Sequence, residues 1–406
     1  MIGIMPRGVF KGRSSGKCEF AEIVLLVHSN IDFVLNDRAV RVRRAGNPNN
    51  DGYEVADLLQ KKGVTHLYKR EFNRAKATFE VALQIWKKVS GIDSIPIASA
   101  TYCLGVAYYY LGDYSHSKLL FEECLRIQAK LFGEGSQNVA TTFCWLGRQQ
   151  EKLNDPNTAL EKYLSALQIL KKEKASADYH VVILLLHAIG KMYQHEEVNL
   201  YDMSLKCFVQ EIGVIRSKLI EEDRSTLRLL ADAHFEAGML FKIMDDVAEG
   251  IKHLSKALDY TKQCSNQESH RLATIMDALG MLYASKEDFD EAKKYYSSAY
   301  SIYEKVSRND PITSDCVFRL SKVLEVLKSE LTLDFYKESL RVHRVNVEED
   351  DSRAAEILFC LGRVCLTNGL LRDAVKYFEE VRDNGCASIA EFFWLTNLSV
   401  SFRRWH

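Results

Sequence analysis

The chain has little proline, 5 in 406 residues. That scarcity leaves long helices uninterrupted and, with a hydrophobic content of 47%, excludes the composition of a disordered chain. It has no charge bias: 54 Lys and Arg stand against 55 Asp and Glu, so no global field draws it to nucleic acid. The ten cysteines show no CxxC spacing, and Cys103, Cys124, Cys144 and Cys360 fall in helical stretches, which fits reduced thiols in a cytoplasmic protein better than a disulfide or metal framework. Long apolar runs are missing too. The best, Ile23 to Val27, is flanked by Glu22 and His28 and falls far short of the ~20 residues of a membrane span. No small-residue cleavage site follows it, against a secretory signal. Arg7, Lys11, Arg13 and Lys17 precede the first acidic residue, Glu19, so organelle targeting by residues 1–20 stays open.

Motifs of catalysis are equally scarce. Among 11 histidines there is no HExxH pair: His195-Glu196-Glu197 lacks the second histidine. No GxSxG or dinucleotide fingerprint occurs, and the stretch from Gly12 to Cys18 departs from a phosphate loop in its first glycine and its missing hydroxyl. No catalytic residue, metal site or cofactor is therefore assigned, and an enzyme is not expected.

What the chain does have is a beat. From Tyr102 to Ile127 two apolar stripes at helical spacing are separated by Gly112-Asp113. Aligned on a glycine, the figure recurs at Gly63, Gly105, Gly147, Gly190, Gly238, Gly280 and Gly362, with Ser321 in one place, at spacings of 42, 42, 43, 48, 42, 41 and 41 residues. Downstream of each comes a small residue (Ala75, Ser117, Ala159, Ser204, Gly250, Ala292, Thr332, Ala374). Four positions later stands a large one (Phe79, Phe121, Tyr163, Phe208, Leu254, Tyr296, Tyr336, Phe378), and three beyond that a mostly small one, with Glu211 and Val381 as exceptions.

A glycine inside a helix costs about 1 kcal/mol relative to alanine, so glycines in equivalent places must permit a close approach that a side chain would forbid. Small residues facing across two antiparallel helices, with a large knob beside them, provide it. One pair cannot bury such faces alone, so the pairs must stack. The expected fold is all-α: a right-handed superhelical solenoid of about eight antiparallel helix pairs over residues 51–391, after a poorly ordered extension at 1–50 and before a truncated ninth-repeat helix or tail at 392–406. The longer segment from Ile212 to Arg224, beside Glu211, predicts a longer or bent second helix and the weakest junction.

The order of these landmarks resembles tetratricopeptide repeats, and the period resembles the subtype of kinesin light chain and its relatives. The likeness is carried by Val139 to Gly147 leading to Ala159, Tyr163 and Ala166, and by Leu272 to Gly280 leading to Tyr283, Phe289, Ala292 and Tyr296. It implies a non-catalytic adaptor that binds an extended peptide in a concave groove lined by the first helix of each pair. Kinesin light chains carry a heptad coiled coil before the repeats. Residues 1–50 contain no such heptads, which leaves motor association in doubt and the cargo-type groove as the implied function.

The groove positions are opposite the packing stripe: three before the landmark and one, four and five after it. Every charge one residue after it is basic: Arg148, Lys191, Lys322 and Arg363. The expected site has an aromatic end at Tyr102, Tyr109 and Tyr110 and a basic middle at Arg148, Lys152, Lys191, His195 and Lys242. It would suit a segment with an apolar anchor and acidic flanks. Asp57, Asp232, Asp315 and Glu356 are read as first-turn acids serving the helix dipole. The rival reading is a self-assembling architectural solenoid acting through its convex face or through residues 392–406.

Overall fold

The computed structural model describes residues 50–172, 179–218, 224–264, 269–346 and 352–383. Among these residues there are sixteen helices and no strand. The expected extension before Asn50 and the tail at 392–406 lie outside the described residues. The chain divides into two units, Met1–Lys218 and Leu219–His406.

The first unit holds α1 (Asn50–Tyr68), α2 (Phe72–Val89), α3 (Ile95–Tyr110), α4 (Tyr114–Phe132), α5 (Gln137–Lys152), α6 (Pro156–Lys172), α7 (Tyr179–Tyr193) and α8 (Tyr201–Lys218). The second holds α9 (Arg224–Ile243), α10 (Val247–Cys264), α11 (His270–Ser285), α12 (Phe289–Ser307), α13 (Pro311–Val326), α14 (Thr332–Asn346), α15 (Ser352–Thr367) and α16 (Leu371–Asp383). In each unit the two helices of a pair pack most closely on each other, and each second helix packs next on the first helix of the following pair, as expected for stacked hairpins. The boundary between the units falls within the segment from Ile212 to Arg224. The described part of α8 has 18 residues, as many as α2 and α10; residues 219–223, on which the expected lengthening or bend falls, lie outside the described residues.

The glycines do what their spacing implied. A Cβ at Gly63 would stand 2.5 Å from Phe79; at Gly105, 2.9 Å from Phe121; at Gly147, 2.6 Å from Tyr163; at Gly190, 2.7 Å from Phe208. The second unit repeats this, with 2.8 Å from Gly238 to Leu254, 2.7 Å from Gly280 to Tyr296 and 2.6 Å from Gly362 to Phe378. Each large residue therefore lies flat on the backbone of the partner helix, where no side chain fits. The small residue four positions earlier closes the contact: Ser117 Oγ donates to the Gly105 carbonyl at 3.0 Å and Ser204 Oγ to that of Gly190 at 2.7 Å. Where Ser321 replaces glycine, its hydroxyl turns back on its own helix and donates to Val317 O at 2.8 Å.

The turn inside each pair is equally regular. A residue in the left-handed conformation follows every first helix: Arg70, Gly112, Asn154, Asn199, Asp245, Glu287, Lys328 and Gly369, with φ between 49° and 80°. In most copies the next N–H donates to the carbonyl five residues back, as from Asp113 to Tyr108 at 3.1 Å and from Asp288 to Tyr283 at 2.9 Å, which closes the helix end. That next residue is often aspartate, and its carboxylate caps the second helix: Asp113, Asp155, Asp246 and Asp288 accept from the N–H three residues on at 3.0–3.4 Å. Between pairs, Pro96 and Pro311 open α3 and α13, as read from the sequence.

Candidate functional site

In the first unit the positions chosen as groove residues separate into core and surface. Tyr102 is 1% exposed and its hydroxyl accepts from Trp145 Nε1 at 2.6 Å; Tyr109 is 7% exposed, edge-on to Trp145 at 5.3 Å. The expected aromatic end is thus half buried in the core. The reason is Trp145, the large residue two before the third landmark, whose fully buried indole wedges between Tyr102, Tyr109, Tyr110 and Phe121. Tyr110 alone of the three tyrosines stays partly open, stacked on Phe72 at 4.7 Å.

The cations are placed differently. The Arg148 guanidinium lies 5.7 Å from the Trp145 ring, half-buried, a cation held against an aromatic face. Lys152, in the last turn of α5, and Lys191, in the last turn of α7, are exposed. His195 lies just past α7, half-buried, its Nδ1 3.5 Å from the Glu197 N–H. Of the nearby acid, Tyr163 takes a share by donating to Glu151 Oε2 at 3.0 Å. The misfit Glu211 is explained as well: 1% exposed, it stands within 3.2 Å of His187 Nδ1 through both oxygens, a polar pair where other copies pack small side chains.

In the second unit the same face carries a ladder of ion pairs between neighbouring first helices. Arg271 meets Asp232, and Arg353 meets Asp315 at 3.3 Å. Arg319 holds Asp277 through two nitrogens, at 3.1 and 2.5 Å. Lys322 reaches Glu356 at 2.8 Å and Arg363 reaches Glu325 at 2.8 Å. This corrects the reading of the acids. Asp232 lies in the third turn of α9, and Asp315 and Glu356 stand five residues into their helices. They serve arginines and lysines of the adjacent pair rather than the helix dipole. A signal existed: Asp232 and Asp315 both stand six before their landmark, and Arg271 and Arg353 both nine before the next.

Lys242, the remaining expected site residue, belongs to this second unit. It is half-buried at the end of α9, with its Nζ 3.1 Å from the Met281 sulfur. Burial, and then the neighbouring Arg319, hold its ammonium below the ordinary lysine pKa. Phe235 and Met239, at the groove positions of the same helix, lie half-buried beside the core formed with α10 and α11. Among the described residues no helix is long and apolar enough to cross a membrane.

Two segments, residues 96–172 and 229–305, match the tetratricopeptide repeat model. Among solved structures, the apo form of RapI is 12% identical, covering 83% of this chain and 91% of that one, with a TM-score of 0.61. The apo form of the quorum sensor NprR from B. thuringiensis is 12% identical, covering 91% and 98%, with a TM-score of 0.53. The kinesin light chain TPR-like repeats of Podosopora anserina are 17% identical, covering 52% and 96%, with a TM-score of 0.43. At these identities the likeness to RapI and NprR is one of fold alone: an all-α stack of helix pairs.

Proposed function

The chain is a tetratricopeptide repeat protein, and from that premise we propose that it is a non-catalytic, cytoplasmic adaptor that binds an extended, acidic peptide segment on the first-helix face of its first unit. The observation that carries this reading is the cluster on α5 and α7: Arg148 laid on Trp145, with Lys152 and Lys191 exposed on the same face, and the open Tyr110–Phe72 stack nearby. The cations would meet the acidic side chains, and the aromatic pair an apolar anchor. The burial of Cys103, Cys124 and Cys144 in the core, rather than at loop positions open to cross-linking, favours a reducing compartment.

The test is fluorescence anisotropy with labelled acidic peptides and their amide counterparts at two salt concentrations, on the unchanged chain and on Arg148→Glu with Lys191→Glu. The acidic set should bind more tightly, lose that margin in salt and lose it again in the double variant. Equal affinity for both sets would remove the electrostatic basis of the reading.

A further inference from the structure

Five cations on the first helices of the second unit, Arg271, Arg319, Lys322, Arg353 and Arg363, each meet a carboxylate of an adjacent first helix. An acidic ligand approaching them would have to displace a carboxylate already in place, and the exchange of one acid for another returns little. Lys242 is different. It makes no ion pair among the described residues; its ammonium rests on the Met281 thioether, a weak acceptor. The acid whose charge acts on it, Asp277, is already held through both oxygens by Arg319. A half-buried ammonium with so poor a partner is an expensive arrangement that a ligand carboxylate would relieve, and burial already loosens its proton. Around it the wall is apolar and half-buried: Met281 in contact, and Met239 and Phe235 one and two groove positions earlier on α9, with Ile243, next in sequence, at 54% exposure.

We propose that Lys242 is a single-anion subsite: it takes one carboxylate of a bound extended segment while Phe235, Met239 and Met281 take the apolar side chain beside it. The rest of this face is neutral by construction, so the second unit reads one acidic group next to one apolar residue, not an acidic run. Methionine and phenylalanine walls tolerate varied apolar partners, so the lysine sets the position and the wall sets only the class.

This inference rests on the peptide-binding reading above, and the experiment separates the two. An array of hexapeptides pairing Leu, Met or Phe with a neighbouring Glu or Gln is probed with the full chain, with Lys242→Met and with Lys322→Gln combined with Glu356→Gln. The unchanged chain should prefer Glu over Gln by about threefold to tenfold at low salt, as for a partly buried charge pair. Arg148→Glu with Lys191→Glu, used as background, isolates the second unit. There, Lys242→Met should abolish the preference, and Lys322→Gln made together with Glu356→Gln, which removes an ion pair without changing net charge, should leave it unchanged. A preference that survives Lys242→Met, or that disappears in the Lys322–Glu356 double variant, overturns the subsite while leaving peptide binding standing. No binding above carrier by the unchanged chain overturns the adaptor reading and this inference with it.

Discussion

Replacing a helical glycine by alanine normally stabilises a helix by about 0.5–1 kcal/mol. Two glycines of this chain should respond with opposite signs. Gly213 lies in α8, exposed, and a Cβ there would meet nothing within 4 Å. Gly147 lies in α5, and a Cβ there would meet Tyr163 at 2.6, 2.7 and 3.0 Å through three ring carbons. Real Cβ contacts do not come so close, so the ring or the helix must move by most of an ångström. The ring has nowhere to go: it is 1% exposed, and its hydroxyl is tied to Glu151 at 3.0 Å. Overpacking of this kind costs about 1–3 kcal/mol, against which the propensity gain returns about 1. Gly147→Ala should therefore destabilise, by up to about 2 kcal/mol, while Gly213→Ala stabilises by about 0.5–1.

Urea unfolding followed by circular dichroism, with hydrogen exchange of the α5 and α6 amides, measures both. The exchange data matter because repeat arrays unfold in parts and a single midpoint blurs them. A third variant closes the argument. Tyr163→Leu removes the ring at the cost of a cavity, and combined with Gly147→Ala it should show a coupling of about 1 kcal/mol in favour of the pair. Additive effects, or a stabilising Gly147→Ala, would refute the claim that the glycines exist to admit these rings.

Other outcomes follow from the turns and the buried thiols. Lys328 occupies the left-handed position after α13 at φ 52°, which costs a non-glycine residue about 1 kcal/mol, so Lys328→Gly should raise the urea midpoint, and an unchanged or lower midpoint counts against the strain. Burial pushes the thiols of Cys103, Cys124 and Cys144 up to about 12, whereas an unfolded cysteine titrates near ~8.5. The unfolded chain thus releases these protons first as pH rises. The thiols' contribution is complete below about pH 8.5 and declines toward pH 12, by about 1.4 kcal/mol per pH unit for each. Iodoacetamide near pH 9 should accordingly modify the three only after unfolding; rapid alkylation of the native chain would show that they are not buried as thiols.

Much of this structure was legible as spacing. Glycine, small and large residues at fixed offsets describe one physical contact, the ring on bare backbone, so their recurrence exposed every helix pair. The left-handed turn escaped notice because only Gly112 and Gly369 mark it with glycine; Arg70, Glu287 and Lys328 adopt the same conformation under the constraint of the two packed helices, and no residue type announces that. The groove positions were harder for another reason. A residue there faces both the ligand and the neighbouring pair, and its own identity does not say which one claims it. Tyr102 and Tyr109 went to the core because Trp145 stands on the next pair, and Lys322 and Arg363 were taken by acids some 34 to 38 residues away.

That dependence on the neighbour allows the two units to be interconverted. In the second unit, the cation one residue after a landmark is neutralised from two places: by the acid six before the next landmark, as in Lys322–Glu356, or by the acid four after the previous one, as in Arg363–Glu325. For Arg148 the corresponding places hold Leu184 and Tyr109, neither of which carries charge. Leu184→Glu should place on α7 the acid that the second unit already has and lower the net charge of the face around Arg148. Leu184 is partly buried beside the core, so the change should cost about 1 kcal/mol of stability, which circular dichroism would register without loss of helix. Acidic-peptide binding to the first unit should fall by about the margin lost in Arg148→Glu, and Leu184→Gln should spare it. Loss of binding in both variants would mean that Leu184 is needed for packing rather than for the charge of that face.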